Sequence, residues 1–247
     1  MDAISSELHG LLSRVSTATL TTQLFKRGFR NVLMQGVSAL HRPGAANLVG
    51  PAFTLRNIPA REDLDRIEIF QDPDHPQRKA IEMAPPGSVL VQDCRGVTAA
   101  ACCGSILVTR LKVRGVAGMV ADGSVRDSGV VENLGLPVFC AGRNAQTNLV
   151  KHHATDMNLP IGCGGVPVYP GDIIVGDIDG VVVLPKHLVE EIAADSAEQE
   201  QLEEYIVERV GEGARLKGTY PANEDTKREY LRWRSRRGGV GDGPSSY

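Results

Sequence analysis

Two adjacent residues in "ADGSVRDSG", Ala121 to Gly129, carry the chemistry this chain can most readily perform. Arg126 presents a planar guanidinium fork suited to a carboxylate or a developing enolate oxygen, and it cannot lose its proton. Asp127 is a hard oxygen ligand for a divalent ion that keeps several waters, as Mg²⁺ usually does. An Arg-Asp pair is also a common surface ion pair at a turn, and spacing alone leaves both readings open. Upstream lies "CCGSIL". Gly104 has no side chain, so the backbone N–H groups of Ser105, Ile106 and Leu107 can cradle a carboxylate if they open a helix. A glycine admitting close helix-to-sheet packing is the competing reading.

Other chemistry-bearing clusters read as structural. "KHHATD" places His152, His153 and Asp156 at spacings for one helical metal face, but no further convincing ligand accompanies them, and they read as surface or packing residues. "GCGGVP" precedes a strand, whereas a dinucleotide loop follows one and opens a helix, so a nucleotide or methyl-donor cofactor has little support. Cys102-Cys103 has no evident histidine partner and reads as buried. The five cysteines, at 94, 102, 103, 140 and 163, form no CxxC pair and read as small buried hydrophobes in a reducing compartment.

The elements that must position these residues follow from patterning. A chain of 247 residues with 42% hydrophobic content can build a core without disulfides or metals. Twenty-seven Lys and Arg against thirty Asp and Glu give a net charge of -3, so no broad field favours nucleic acid or an anionic membrane. No apolar run approaches about 18 residues, and the N-terminus lacks a positive leader with an apolar core, so a cytoplasmic protein is expected.

Residues 4 to 28 have the spacing of two short helices broken near Ser16. "NLVGPAFTLRNI" reads as strand interrupted at Gly50-Pro51, and "REDLDRIEIFQDPDHPQRKAIEM" as a surface excursion returning as a helix. Then comes a regular series: strand 88–93, helical "GSILVTRLKVRG", strand "VAGMVAD" ending at Asp122-Gly123, helical "SGVVENLG" and strand "LPVFCAG". Such crossovers predict a parallel sheet whose functional loops lie at the carboxyl ends of its strands. "GVPVYPGDIIVGDIDGVVVLP" adds three short strands, read as a meander or small second sheet. The expected architecture is α/β, with helices on one face of a sheet and a second sheet on the other. From Pro185 a long acidic helix is predicted, followed by basic "REYLRWRSRR", which reads as a solvated helix or inter-subunit salt bridge rather than a nucleic-acid contact. "GGVGDGPSSY" reads as a disordered tail. The expected division is therefore 1–184, 185–237 and 238–247.

The combination of "APPGSVLV", "GSILVTRLKVRGVAGMVADGSVRD", "LGLPVF" and "PGDIIVGDIDGVVVLP", from about Pro85 through Pro185, resembles the RraA-like family, which includes the 4-hydroxy-4-methyl-2-oxoglutarate and 4-carboxy-4-hydroxy-2-oxoadipate aldolases. The resemblance implies a three-layer β/β/α sandwich like the swivelling phosphohistidine domain, with peripheral terminal helices, assembled as trimers or hexamers with sites between neighbouring subunits. It implies a metal-dependent lyase that cleaves 4-hydroxy-2-oxo acids to pyruvate and a carbonyl product, or decarboxylates oxaloacetate. Residue by residue, it gives Gly104, Ser105, Ile106 and Leu107 to the substrate carboxylate, Arg126 to substrate and enolate, and Asp127 to the divalent ion, Mg²⁺ first and Mn²⁺ second. The same family includes ribonuclease-binding regulators, which need no metal.

One departure bears on the chemistry. Aldolase members commonly carry Asp or Glu where this chain has Ser105, and a serine cannot act as a base near neutral pH. A carboxylate of a neighbouring subunit's acidic helix is a substitute, with Glu203 or Glu204 as candidates.

Overall fold

The computed structural model describes residues 4–41 and 46–237. The tail expected over 238–247 lies outside them. In chain order the elements are α1 (Ser6–Leu12), α2 (Thr17–Lys26), β1 (Ser38–Ala39), β2 (Leu48–Pro59), α3 (Pro76–Met83), β3 (Val89–Asp93), β4 (Ala101–Cys103), α4 (Ser105–Val113), β5 (Gly118–Val125), α5 (Ser128–Val131), β6 (Val138–Arg143), β7 (His152–Met157), β8 (Ile161–Cys163), β9 (Val166–Val168), β10 (Ile173–Gly176), β11 (Val181–Leu184), α6 (Val189–Gly211), α7 (Leu216–Thr219) and α8 (Glu224–Arg237). By contacts the chain divides into two compact units between Ala194 and Asp195, within α6.

Serine caps fix the two N-terminal helices. Ser5 accepts from Leu8 N and Ser16 from Thr19 N, each at 3.1 Å, satisfying amides that a helix start leaves free. Ser16 marks the break between them.

The first unit is a mixed α/β fold. Its main sheet runs β1-β6-β5-β3-β2-β10-β11, with β4 added to β5 and β7 to β2. The β2–β3, β3–β5, β4–β5 and β5–β6 pairings are parallel, as the crossover series predicts. Alternation along β3 assigns the faces: Leu90 joins Ile81 of α3 and Val108 and Leu111 of α4 in one apolar cluster. Val89 and Val91 point the other way, packing with Phe139 and with Ile161 and Val168 of the β8–β9 hairpin. Helices therefore cover one face and strands the other.

Two expectations about strands change. β10 and β11 do not form a separate sheet, because β10 pairs with β2 and so joins the main one; only β8–β9 stands apart. The Gly50-Pro51 step does not interrupt β2, which is continuous over 48–59. A Cβ on Gly50 would meet Gly87 O at 2.5 Å, so the glycine permits a close backbone approach rather than a turn. Pro51 stands opposite Ile173 of β10, and backbone hydrogen bonding continues past it, Ala52 N donating to Asp172 O at 2.8 Å.

In the second unit, Tyr205, Ile206 and Tyr230 form a small core with Trp233 against it. Among the described residues no helix is long and apolar enough to cross a membrane.

Candidate functional site

β5 runs to Val125, past the Asp122-Gly123 step expected to end it. A Cβ on Gly123 would meet Cys94 Cβ at 2.6 Å, so this glycine again marks close packing inside a strand. Asp122 is buried and accepts from Cys94 N at 2.5 Å, Gly96 N at 3.0 Å and Gly164 N at 3.2 Å; it holds loops together and stays out of the site. The strand extension delivers Arg126 and Asp127 directly at the carboxyl end of β5. Arg126 N donates to Cys103 O at 3.0 Å, which locks that end beside β4 and the start of α4.

Asp127 adopts a left-handed conformation, φ 55 and ψ 32, at the N-cap of α5. Few non-glycine residues take this backbone, and Asp tolerates it better than most. The conformation turns the carboxylate back toward α4, where Oδ2 accepts from both Ser105 N and Ser105 Oγ at 3.1 Å. Gly104 is the N-cap of α4, and a Cβ there would meet Asp127 Oδ2 at 2.8 Å and Arg126 Cγ and Nε at 3.0 Å. Gly104 therefore makes room for the pair, while the serine side chain and amide orient the carboxylate. That orienting role of Ser105 was not visible in the sequence. It also alters the cradle: the Ser105 amide serves Asp127, which leaves Ile106 and Leu107 as first-turn amides without an intrahelical acceptor. Ile106 is 80% exposed, whereas Leu107 packs partly against the core.

Arg126 Nε stands 3.8 Å from Asp127 Oδ2, with both side chains more than two-fifths exposed, a loose pair with capacity for a further partner. The two residues border a cavity of about 340 Å³ whose wall also includes Gly104, Ile106, Leu107, Cys102 and Cys103. Cavities of this size suit small organic ligands. Burial pushes the Cys103 thiol far above its ordinary range, so it is no thiolate nucleophile, and all five cysteines are buried and unpaired.

The same wall carries residues that sequence reasoning missed: Phe70, Gln77 and Arg78 from the excursion and α3, and Thr147 and Asn148 after β6. Arg78 lies over the Phe70 ring at 4.3 Å. Burial lowers its pKa, with the nearby Arg126 charge acting in the same direction. No local pattern in "HPQRKAIEM" distinguishes Arg78 from a solvated arginine, because its neighbours come from distant segments.

A divalent ion fits this site in one way. Among the described residues no group of three or more His, Cys, Asp or Glu can hold a metal. Asp127 alone, with one oxygen held by Ser105, suits a hard ion that keeps most of its waters, the habit of Mg²⁺ rather than Zn²⁺.

The competing clusters disperse. His152, His153 and Asp156 lie on strand β7 and do not form a helical face. His152 is buried beside Ala100 O, His153 Nδ1 is 2.8 Å from Asp65 Oδ1, and Asp156 pairs with Arg56. "GCGGVP" makes the β8–β9 turn, with Gly164 and Gly165 at φ 57 and 74. Within the second unit Glu203 accepts from Gln199 Nε2 at 2.7 Å and Glu204 pairs with Arg237.

Comparison with known proteins gives the family of the chain. A protein of Halalkalibacterium halodurans, provisionally named 4-hydroxy-4-methyl-2-oxoglutarate aldolase, is 40% identical over 131 residues, covering 53% of this chain and 61% of that protein. The chain thus spans about three fifths of that relative's length. The crystal structure of Streptomyces coelicolor RraAS2, described as an unusual member of the RNase ES inhibitor RraA family, superposes with a TM-score of 0.74 at 33% identity, covering 83% of this chain and 98% of that one. An uncharacterised Pseudomonas syringae protein gives 0.74 at 26% identity, covering 89% and 100%. The RraA-like model, described as Aldolase/RraA, matches residues 17–183, the span that builds the sheet, the α4 start and the Arg126-Asp127 pair, and the chain belongs to that family.

Proposed function

We propose that the chain is a divalent-metal-dependent carbon-carbon lyase that cleaves 4-hydroxy-2-oxo acids to pyruvate and a carbonyl product. The observation that carries this reading is the convergence of Arg126, Asp127 and the open first turn of α4 on one small cavity. A 2-oxo acid places a carboxylate beside a ketone, and the site offers backbone amides for the first and the Arg126 guanidinium for the second. Asp127 would hold the ion, which when bound supplies Lewis-acid polarisation of the 2-oxo group. The C3–C4 bond breaks, its electron pair becomes the C2–C3 enolate, and the 4-hydroxyl gives its proton to water as it becomes the product carbonyl. Arg126 stabilises the enolate oxygen as charge develops there, and protonation at C3 yields pyruvate. Decarboxylation of oxaloacetate passes through the same enolate. The reading extends to a cytoplasmic homotrimer or hexamer with a core like the swivelling phosphohistidine domain.

Purified protein with Mg²⁺ or Mn²⁺ should release pyruvate from a 4-hydroxy-2-oxo acid or oxaloacetate, and a chelator should stop it. Turnover that persists in both Arg126→Ala and Asp127→Ala would overturn the assignment. A second reading, a non-catalytic regulator that binds a ribonuclease, draws on the RraAS2 likeness and on a serine at 105. Tight binding to a ribonuclease without any metal-dependent turnover selects it.

A further inference from the structure

Arg78 is set apart from the other charged residues of its helix. On α3, Glu82 is taken by Arg110 through two hydrogen bonds, at 2.9 and 2.7 Å, and Lys79 reaches Asp74 at 2.9 Å. Among the described residues, Arg78 has no carboxylate within ion-pair distance; its recorded partner is the Phe70 ring. Stacking fixes the guanidinium plane and leaves its N–H edge for an in-plane acceptor. Arg78 and Arg126 border the same cavity, with Asp127 the single carboxylate on its wall. Two cations bordering one cavity disfavour each other unless an anion comes between them.

The wall beside Arg78 has unmatched polar groups as well. Gln77 is 4% exposed and its Nε2 donates to Cys102 O at 2.6 Å, an orientation that leaves Oε1 buried without a donor. Asn148 is 5% exposed and its Nδ2 is likewise buried without an acceptor. Buried polar atoms are seldom left so, and both residues line this cavity.

We propose that Arg78, held on Phe70, is a specificity-determining residue that receives a second carboxylate, at the end of the substrate remote from Asp127. Arg126 and the α4 amides serve the 2-oxo acid end, and Arg78 the distal end, with Asn148 Nδ2 as an added donor. Gln77 Oε1 accepts from a hydroxyl between the two ends. A diacid gives Arg78 a carboxylate to pair with, whereas a monoacid leaves it with the Phe70 ring alone. This assignment rests on the 2-oxo acid reading of the site.

The test is a matched pair, 4-hydroxy-2-oxoglutarate and 4-hydroxy-2-oxopentanoate, which differ in a terminal carboxylate against a methyl. Wild-type protein should prefer the diacid, and Arg78→Met should lower kcat/KM for the diacid at least tenfold more than for the monoacid, chiefly through KM. Arg78→Lys, which keeps charge without the fork, should fall between. Equal losses on both substrates, or no change in their ratio, overturn the proposal. Calorimetric binding of 2-oxoglutarate against 2-oxobutanoate needs no turnover. A diacid preference of wild type that Arg78→Met abolishes, in protein that cleaves nothing, supports Arg78 while rejecting the lyase. Wild-type binding of inorganic phosphate lost in Arg78→Met, without diacid preference, overturns the carboxylate assignment.

Discussion

The cavity beside β5 and the α6–α8 unit are both rich in charge, yet they use it oppositely. In the second unit Arg234 Nη1 meets both oxygens of Glu198 at 3.0 and 2.7 Å, and Arg237 pairs with Glu204 and, at 3.5 Å, with Glu208. The Tyr230 hydroxyl reaches Glu198 at 3.0 Å and Trp233 Nε1 reaches Glu208 at 3.1 Å. The acidic helix thus pairs with Arg234 and Arg237 of the basic run, whereas among the described residues Arg232 and Arg236 meet no carboxylate within ion-pair distance. At the cavity Arg126 is loosely held and Arg78 is unmatched, while Asp127 sits in a rare backbone conformation. Charge density alone marks neither region; incomplete pairing around a concave space is what makes the cavity the candidate site.

That contrast can be broken from the site outward. Asp127→Ala removes the single carboxylate of the cavity, and metal-dependent pyruvate release should fall to background; Arg126→Ala should lower kcat by about 10² or more, the scale of losing a positioned oxyanion donor. Both are read by a coupled pyruvate assay. Gly104→Ala places a Cβ against Asp127 Oδ2 and Arg126 together, so turnover should drop nearly as far while circular dichroism and thermal midpoint change little. Survival of full activity in that variant would show that the close approach is not needed. Ser105→Ala removes one of two hydrogen bonds to Asp127 Oδ2 and should weaken apparent Mg²⁺ affinity by about tenfold, as orienting partners of metal ligands do.

The smaller effects concern stability. Burial lowers the pKa of His152, outweighing its hydrogen bond to Ala100 O, and likewise that of His75. A depressed folded-state pKa gives stability that is present above the unfolded value of 6.5 and lost as pH falls below it. Urea midpoints should therefore decline between pH 7.5 and 5, and less so in His152→Asn. Last, Arg234→Ala removes an exposed pair and should cost no more than about 1 kcal/mol, with pyruvate release unchanged. A large catalytic effect there would erase the distinction between the two regions.

Legibility followed the range of the interactions. The β-α-β series was readable because period-2 and period-3.6 patterning is local, and the Arg126-Asp127 pair because its chemistry is intrinsic to the two residues. The misreadings concern glycines and strand ends. Gly50 and Gly123 look like turn residues, yet each lies inside a strand where Gly87 O or Cys94 leaves no room for a Cβ. His152, His153 and Asp156, whose spacing would suit a helical face, lie instead on a strand, because β2 pairs with that segment as β7.

What the sequence determined by itself was the set of reactive groups and the order of strands and helices, since side-chain chemistry and hydrophobic period belong to short segments. What only the tertiary structure decided was their company. Ser105 became the partner of Asp127 across 22 positions of chain, and Arg78 came from α3 to the cavity that β5 borders. Such approaches depend on how the sheet face and its helices close-pack, a property of the whole fold that no local spacing encodes.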